Sequence, residues 1–376
     1  MLGIEHLSNT LCCRLDASTF AESCFEFEVH IIKVCQDKPF CVRYTEGYVI
    51  AKRSFGSMGN LLITGGAGFI GSTLAKIALE RGWKVRIIDN LSTGLESTAQ
   101  ELEKMGANVF LGDIRDDSLL DLAMKGCDAV AHLAAQVSVP LSVSNPEETM
   151  SINVGGTDNV LNSCLKHGIN RMVMASSAAV YGEAESLPLK EEDAGQVLSP
   201  YAESKWKNES QILEARKKGL HATALRFFNV YGVGQRPDGA YAAVIPKFAD
   251  MMAQGIVPRL NGDGSHTRDF VHVHDVCSAI CSLIEGEWKA EQFHVYNVAT
   301  QTKITLLDLV SSINQALGNA MKDFEPITAT HGPERVGDIQ HSMADINRIQ
   351  TILNWQPIVS FEDGIEGLVR ERLSLR

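Results

Sequence analysis

The chain has 376 residues, 45% of them hydrophobic and 21% charged, which is typical of a globular protein with one large or two smaller domains. Its formal net charge of -12 argues against nucleic acid as the main partner, although it does not exclude a local basic pocket for phosphates. No apolar run approaches the roughly 18 residues of a membrane span. The start "MLGIEHLSNTLCC" is unlike a secretory signal, so we expect no membrane contact and a cytoplasmic location.

The first 57 residues follow no clear period and have no glycine punctuation, and Met58 stands directly before "GNLLITGG". They are either a genuine extension or translated sequence upstream of the functional start. We favour the second interpretation and assign residues 1–57 no function. Five of the nine cysteines lie here, and no CxxC pair occurs anywhere in the chain, so we predict no metal site.

From residue 58 onward, apolar runs alternate with helical patterns. "LLIT" (61–64) predicts a strand, the spacing of Leu74, Ile77 and Ala78 predicts a helix, and "KVRIID" (84–89) predicts a second strand. Gly82 ends the helical segment, and four more glycines each precede an apolar run: Gly106 before "ANVFL", Gly126 before "CDAVAHL", Gly168 before "INRMVMAS" and Gly219 before "LHATALRFF". Short connections between alternating strands and helices predict an α/β fold, a doubly wound parallel sheet with helices on both faces.

After about residue 229 the alternation loosens into loops such as "GVGQRPDG" and "NGDGSHTRD", with helical stretches near 306–317 and 362–372. Cys277 and Cys281, one helical turn apart in an apolar stretch, indicate a buried helix rather than a metal site. We therefore divide the chain into a parallel-sheet domain over 58–229 and a smaller mixed α/β domain over 230–376, some segments of which return to the first. The smaller domain should lie over the carboxyl ends of the strands, where ligands of open parallel sheets bind.

"TGGAGFIGS" places Gly65, Gly68 and Gly71 between a predicted strand and a predicted helix. This is the arrangement in which backbone amides and a helix N-terminus bind a pyrophosphate, and it predicts a dinucleotide site. Asp89, at the end of the next strand, can accept from both ribose hydroxyls of NAD and would repel the extra phosphate of NADP. No arginine follows in "DNLSTG", so NAD is favoured. Asp113, in "GDIRD", either reaches the adenine side or caps a helix.

"SPYAESK" places Tyr201 one helical turn before Lys205, and Pro200 suits a first helical turn. A phenol has a pKa of about 10, which must fall by roughly 3 units before it can act as a base near neutrality. A neighbouring cation acts in that direction. Taken alone, however, the pair is more often an ordinary surface Tyr and Lys.

Several stretches after Met58 identify a family: "GGAGFIG", "DNLSTG", "GDIRD", "HLAAQ", "SSAAVYG", "PYAESK", "RFFNVYG", "GAYAAVIPKF", "NGDGSHTRDFVHV" and "RVGDIQHSMADI". In this order they resemble the extended short-chain dehydrogenase/reductases, and among them the NAD-dependent nucleotide-sugar 4-epimerases. The resemblance covers nearly all of the chain after residue 58. It implies a Rossmann fold, tightly held NAD and a UDP-sugar substrate, and leaves the sugar open.

The resemblance also implies roles for three residues. Tyr201 matches the catalytic base, Lys205 the lysine that binds the nicotinamide ribose and lowers the phenol pKa, and Ser177 the serine that hydrogen-bonds the sugar O4. Strand alternation lets only one of Ser176 and Ser177 face the cleft. The implied reaction removes hydride and proton at C4, rotates the 4-keto sugar and returns hydride to its other face.

The resemblance extends to binding residues. Besides the glycines, Asp89, Asp113, Tyr201 and Lys205, the implied cofactor set comprises Phe69, Ile70, Asn90, Ser92, Thr93, Gly94, Ile114, Leu133, Ala134 and Ala135. The implied substrate set, besides Ser177, comprises Asn229, Ala243 and Val244 at the UDP site, Arg268 and Arg335 at the diphosphate, Asp338 at the uridine ribose and Ser342 at the hexose C2. A small residue at the last position predicts that UDP-GlcNAc and UDP-GalNAc are accepted. "NVYGVGQRPDGAYAAVIPKF" also resembles epimerases that act on N-acetylated sugars for surface polysaccharide.

Two alternatives remain. A nucleotide-sugar 4,6-dehydratase or decarboxylase would share the first oxidation, but the acidic residues expected after the catalytic serine are Ala178 and Ala179 here. A non-catalytic NAD-binding module would be expected to lack Tyr201 or Lys205. Relatives commonly pair, so we expect a homodimer formed through the segments after Glu147 and Tyr201.

Overall fold

The computed structural model describes residues 58–183, 186–237, 243–289, 292–334 and 340–375, together with the backbone of two strands before them. Those two strands, β1 (Phe40–Thr45) and β2 (Tyr48–Arg53), pair antiparallel. The remainder of 1–57 lies outside the described residues.

Strands β3 to β8 and β13 form the main sheet, and the six strands β9 to β12, β14 and β15 form three further two-stranded sheets in the described residues. In chain order they are β3 (Asn60–Thr64), β4 (Lys84–Asp89), β5 (Asn108–Leu111), β6 (Ala129–His132), β7 (Arg171–Ser177), β8 (His221–Phe227), β9 (Asn229–Tyr231), β10 (Arg259–Asn261), β11 (Thr267–Arg268), β12 (Phe270–His272), β13 (Val295–Val298), β14 (Ile304–Thr305) and β15 (Thr330–Gly332).

The α-helices, in chain order, are α1 (Phe69–Glu80), α2 (Glu96–Lys104), α3 (Asp117–Met124), α4 (Val139–Ser144), α5 (Pro146–Met150), α6 (Gly156–His167), α7 (Pro200–Lys217), α8 (Val244–Ala253), α9 (Val273–Glu285), α10 (Leu306–Ala320), α11 (Asn347–Leu353) and α12 (Phe361–Ser374). A π-helical turn, Ser151–Gly155, joins α5 to α6. No helix in the described ranges is both long and apolar enough to cross a membrane.

The main sheet has the strand order β13-β8-β7-β6-β3-β4-β5, and all neighbouring strands are parallel. Its order reverses at β3, between β4 on one side and β6 on the other. In open parallel sheets the crevice outside the carboxyl ends at such a point is where ligands bind. The predicted doubly wound α/β fold is confirmed. The sequence pattern did not predict β13, the edge strand, as part of this sheet.

Both faces of the sheet are buried. Leu61 and Ile63 pack into one core with α1 and α9, whereas Leu62 and Ile88 pack into a second core with α3 and α6. Consecutive residues of one strand thus enter opposite layers, which is why these strands are continuous apolar runs. Full burial of each such side chain contributes about 1.5–3 kcal/mol to the stability of the fold. The strands are therefore firmly anchored, and so are the polar residues at their carboxyl ends.

Helices end at or near the glycines that precede the apolar runs in the sequence. Gly168 closes α6 with φ of 66°, a left-handed conformation that strains residues with a Cβ. The other four glycines of the pattern, Gly82, Gly106, Gly126 and Gly219, also have positive φ. The strands therefore begin within one to three residues of these glycines, as the pattern predicted.

The C-terminal segments form a third core, to which α8, α10 and α12 contribute Phe248, Ile313 and Leu368 among others. The predicted helices near 306–317 and 362–372 correspond to α10 and α12. Cys277 and Cys281 lie buried in α9, as predicted, and α9 packs on α1. Both α9 and β13 therefore pack with the main sheet, although they come from the C-terminal part of the chain.

Candidate active site

A cavity of about 920 Å³ opens at the carboxyl ends of the strands, where the order of the sheet reverses. Of the residues predicted for cofactor and catalysis, all but one line it. These are Gly65, Gly68, Phe69, Ile70, Gly71, Asp89, Asn90, Ser92, Thr93, Asp113, Ile114, Leu133, Ala134, Ala135, Ser177, Tyr201 and Lys205. The exception is Gly94, which lies behind the wall: a Cβ there would come within 3.0 Å of Ala67 Cβ and Asp89 Oδ1.

The glycine-rich loop has the geometry of a phosphate cradle. A Cβ on Gly71 would lie 2.1 Å from the carbonyl oxygen of Gly65, and one on Gly65 would lie 2.8 Å from Ala134 N. The loop is therefore folded too tightly for side chains at these positions. No side chain caps the start of α1 at Gly68, which leaves its first amides available to an anion. The residues present fit the pyrophosphate of a dinucleotide.

Asp89 lies at the end of β4 and is 8% exposed. Its Oδ2 accepts from Ala67 N at 2.9 Å and its Oδ1 from Leu91 N at 2.8 Å. Because a carboxylate oxygen can accept more than one hydrogen bond, the group is oriented by backbone and still able to accept ribose hydroxyls.

Asp113 does not cap a helix, because the N-cap of α3 is Asp116. Its carboxylate instead accepts from Arg115 Nε at 3.0 Å and Nη2 at 2.9 Å, and this pairing lowers the pKa of Asp113. Arg115 also donates to Glu148 at 2.9 Å. Two carboxylates thus neutralise an arginine at the cavity wall, which leaves it poorly suited to a further phosphate.

The first turn of α7 holds Tyr201. Ser199 caps the helix by accepting from Ala202 N at 3.1 Å, and Pro200 occupies the first helical position, as predicted. Tyr201 N donates to the buried Ser142 Oγ at 3.1 Å. Helix cap and tertiary contact together fix the position of the phenol at the cavity.

Lys205 follows one turn later on the same buried face of α7, and its Nζ donates to Ala175 O at 2.9 Å. Burial lowers the pKa of Lys205 to about 8, opposed by the charge of Glu209. Burial also raises the pKa of Tyr201, and a hydrogen bond from Ser177 lowers it. The expected net lowering of the phenol pKa is therefore wrong for the chain's own residues, because desolvation outweighs the groups around the phenol.

Both serines at the end of β7 border the cavity, but their hydroxyls have different partners. Ser177 hydrogen-bonds Tyr201. Ser176 is buried and donates to Glu209 Oε1 at 2.6 Å, on the same buried face of α7 as Tyr201 and Lys205. Glu209 in turn pairs with the buried Arg226 at 2.7 Å. This ion pair joins α7 to β8, and no pattern in the sequence predicted it.

The π-helical turn before α6 supplies another anchor. Asn153 Nδ2 donates to Ser204 Oγ in α7 at 2.9 Å and to Gln136 O at 2.9 Å, and its Oδ1 accepts from Gln136 N. Gln136 lines the cavity just after Ala135. The π turn, a feature often found at functional sites, thus ties α7, the helix of Tyr201 and Lys205, to the wall of the cavity.

The loop after β9 completes the wall with Gly234, Gln235 and Arg236. It is held by the last turn of α12: Glu371 Oε1 accepts from Gly234 N at 2.7 Å, and Arg372 donates to Gln235 O. Nothing in the local sequence of the loop predicts this contact, because its partners lie at the other end of the chain.

Apart from Ser177, the predicted substrate residues in the described ranges do not line this cavity. Asn229 starts β9, which pairs with β12, and β12 begins two residues after Arg268. Ser342 N donates to Thr267 O at 3.1 Å, next to Arg268. Ala243 and Val244 form the start of α8. Arg335 and Asp338 lie outside the described residues.

These features define a class of protein. A doubly wound sheet with a dinucleotide cradle and a Ser-Tyr-Lys group at the cofactor crevice is typical of enzymes that use a bound nicotinamide dinucleotide. The sequence model of the NAD dependent epimerase/dehydratase family matches residues 61–299. The chain belongs to this family, and its cofactor is NAD.

Three similar proteins illustrate the range of the family. A UDP-glucose 4-epimerase of Halalkalibacterium halodurans is 31% identical over 312 residues, covering 79% of this chain and 90% of that protein. A UDP-N-acetyl-alpha-D-glucosaminuronate decarboxylase of Bacillus cytotoxicus is 30% identical over 319 residues, covering 82% and 96%. The solved UDP-N-acetylglucosamine 4-epimerase of Methanobrevibacter ruminantium, in complex with UDP-N-acetylmuramic acid, superposes with a TM-score of 0.78, at 33% identity over 85% of this chain and all of that one.

Proposed function

We propose that the protein interconverts the C4 epimers of a UDP-hexose through a 4-keto sugar, with Ser177, Tyr201 and Lys205 as its catalytic residues. The observation that carries the proposal is the convergence of these three side chains at one end of the cofactor cavity. Two of the three similar proteins described above are named as 4-epimerases of UDP-sugars.

NAD held by this cavity would supply the acceptor and donor of the C4 hydride, and its positive ring would favour a neighbouring phenolate. Tyr201 takes the proton of the C4 hydroxyl, and Ser177 hydrogen-bonds O4 and relays that proton. Lys205, held by Ala175 O at 2.9 Å, is one turn from the phenol and stabilises its ionised form. Arg268, with Arg335, Asp338, Asn229, Ala243 and Val244, binds the UDP group.

For the sugar, we propose UDP-GlcNAc and UDP-GalNAc, with UDP-Glc and UDP-Gal as further substrates. The argument is the small side chain of Ser342, whose backbone is fixed against Thr267 and which is 9% exposed. An N-acetyl group at C2 needs room that a bulky residue at this position would fill. Surface polysaccharide is the proposed destination of the product.

The decarboxylase relative makes loss of a carboxyl group the second candidate. After Ser177 the chain continues with Ala178 and Ala179 in a 3-10 turn, and Ala179 N donates to Ser177 Oγ at 3.2 Å. A decarboxylase of this family would be expected to have a glutamate where Ala179 stands, and a 4,6-dehydratase would need acidic residues here to remove the C5 proton and protonate the departing O6. Alanine can do none of this, so epimerisation is the better supported reaction.

We further propose a homodimer formed through α6 and α7. These helices pack side by side and leave a groove of about 260 Å³ lined by Leu161, Leu165, Ser210 and Ala215 among others. Light scattering should give the mass of two chains, and Ser210→Arg, which fills the groove, should give the mass of one. The cytoplasmic location stays a prediction.

The deciding experiment incubates purified, NAD-containing protein anaerobically with UDP-GlcNAc, UDP-Glc and UDP-glucuronate, with products identified by NMR. We expect axial and equatorial C4 products from the first two. Released carbon dioxide or a 4-keto-6-deoxy sugar would support the second candidate instead. Tyr201→Phe should lower kcat by about 10²-fold or more. Ser176→Ala, one residue from Ser177 but turned to Glu209, controls for general damage to this region.

A further inference from the structure

Asp269 lies between β11 and β12 and is fully buried, at 0% exposure. Its Oδ1 accepts from Thr300 N at 2.8 Å and Thr300 Oγ1 at 2.7 Å, and its Oδ2 accepts from Gln301 N at 3.0 Å and Ala344 N at 3.1 Å. All four partners donate, so the ionised carboxylate, which only accepts, is the form that fits the site. Burial raises the pKa of the carboxyl, and these hydrogen bonds oppose the rise.

The main chain of Asp269 makes a second set of contacts. Its carbonyl oxygen accepts from Asn229 N at 3.1 Å and from Asn229 Nδ2 at 3.0 Å. One residue therefore joins four separate segments: the start of β9, the β11–β12 stretch that carries Arg268, the turn at 300–301 and the segment that carries Ser342. We call the group formed by Asn229, Arg268 and Ser342 the substrate half of the site.

We infer that Asp269 is a positioning residue for substrate, which sets the relative placement of Asn229, Arg268 and Ser342 without touching the sugar nucleotide. This inference rests on the proposed function and names a residue that holds its substrate half together. Displacement of a binding group by about 1 Å can cost about 10²-fold in function. Loss of the hydrogen bonds to this carboxylate should therefore weaken the binding of UDP. The cofactor cavity makes no use of these contacts, so NAD should stay bound.

Asp269→Asn tests the inference because asparagine has nearly the same size and shape as aspartate. It replaces one carboxylate oxygen, which accepts two hydrogen bonds, with an NH₂ group that cannot accept from those two donors. We expect the Kd for UDP, measured by calorimetry on NAD-loaded protein, to rise about 10- to 100-fold. The KM for the UDP-hexose should rise similarly, with kcat within about 3-fold and NAD content unchanged.

The matched control is Asp275→Asn. Asp275 is also 0% exposed and accepts from two backbone amides, Ile358 N at 3.0 Å and Val359 N at 3.2 Å, but it anchors α9 to the chain before α12. It should lower the melting temperature while leaving the Kd for UDP within about 2-fold. Thr300→Val, which removes only the Oγ1 donor, should raise the Kd for UDP by a smaller factor. If Asp269→Asn does not fold, the Kd for UDP of Thr300→Val is the measurement that tests the inference.

An unchanged Kd for UDP in folded Asp269→Asn or in Thr300→Val, or equal rises in Asp269→Asn and Asp275→Asn, would overturn the inference. That result differs from failure of the proposed function, in which the wild-type, NAD-loaded protein itself would neither bind UDP nor change any UDP-hexose.

Discussion

The cofactor part of the site and the substrate half differ in how the chain builds them. The phosphate cradle is one continuous turn, 65–71, whose backbone is shaped by glycines next to each other in sequence. In the substrate half, Asn229, Arg268 and Ser342 are distant in sequence and meet because Asp269 hydrogen-bonds their segments. A cradle made by local backbone geometry is sensitive to one added methyl group, whereas a site held by a buried carboxylate is sensitive to loss of an acceptor.

This contrast is sharpest at Gly71. Gly71→Ala places a Cβ 2.1 Å from the Gly65 carbonyl oxygen, a contact that cannot be relieved by a side-chain rotation. We expect purified Gly71→Ala to retain no NAD and to have no measurable epimerase activity, as judged by the dinucleotide released on heating. Gly155→Ala is the control, since nothing lies within 4 Å of that Cβ and φ is -63°. It should keep NAD and gain about 0.5–1 kcal/mol of stability. Full NAD content in Gly71→Ala would contradict the cradle.

The next largest effect is expected from Lys205→Met. The change removes the ammonium one turn from Tyr201 but keeps an unbranched chain in a buried position, so kcat should fall by about 10²-fold or more while the protein stays folded. Lys207→Met removes an ammonium from the same helix at a side chain that is 51% exposed and pairs with Glu203. Initial rates for Lys207→Met should stay within about 2-fold of wild type, because exposed ion pairs contribute little. Similar losses in both variants would remove the case for a catalytic ammonium.

In the substrate half the informative change is one of size. Ser342→Tyr adds a ring at a position that is 9% exposed, and it should abolish activity on UDP-GlcNAc while sparing UDP-Glc. The measure is the ratio of kcat/KM for the two sugars, which we expect to fall by about 10²-fold, as steric exclusion of a whole acetamido group predicts. Ser342→Ala should leave the ratio near its wild-type value. Equal loss on both sugars would show that the position does not select the C2 substituent.

The smallest predicted effect concerns stability and pH. His132 lies behind the cradle, with Nδ1 2.7 Å from Thr64 Oγ1 and Nε2 2.9 Å from Thr157 Oγ1, and burial, with the charge of Lys205, lowers its pKa to about 3. The unfolded chain therefore binds this proton more readily, and the stability from the neutral ring is lost as pH falls from about 6.5 toward 3, by up to about 1.4 kcal/mol per pH unit. In urea unfolding between about pH 7 and pH 5, His132→Gln should have a flatter profile than wild type.

Asp275 provides a slope of the opposite sign. Burial raises its pKa to about 6, so its contribution is present below the unfolded value near 3.8 and is lost as pH rises through about 6. Because this pH window lies inside that of His132, the two slopes oppose each other, and Asp275→Asn should make stability rise more steeply between about pH 4 and pH 6. An unchanged acid slope in His132→Gln would show that the ring is not held neutral.

The sequence predicted the cofactor part well because its signals are local. The strand, the glycine turn and the acidic residue at the end of β4 are contiguous stretches, and the period of Tyr201 and Lys205 on α7 is the period of a helix. Glycine positions likewise predicted helix ends, since a positive φ depends on the residue itself.

The contacts that could not be predicted join remote segments. Glu209 is a charged residue on a helix, for which exposure to solvent is the ordinary expectation, and only the fold shows that it is buried against Arg226. Asp269 stands next to an arginine in a glycine-rich loop, where a surface position is the ordinary expectation, and its four donors come from residues 300, 301 and 344. The charge and hydropathy of a residue are known from the sequence, whereas these roles depend on which hydrogen-bond donors the fold places around it.

The clamp between the last turn of α12 and the loop at Gly234 and Gln235 bears on the order of events during synthesis. A ribosome finishes the dinucleotide cradle early, but one side of the cleft stays unsupported until Glu371 and Arg372 have left the exit tunnel. Stable capture of the cofactor should therefore wait for the synthesis of α12, long after the cradle itself has been made.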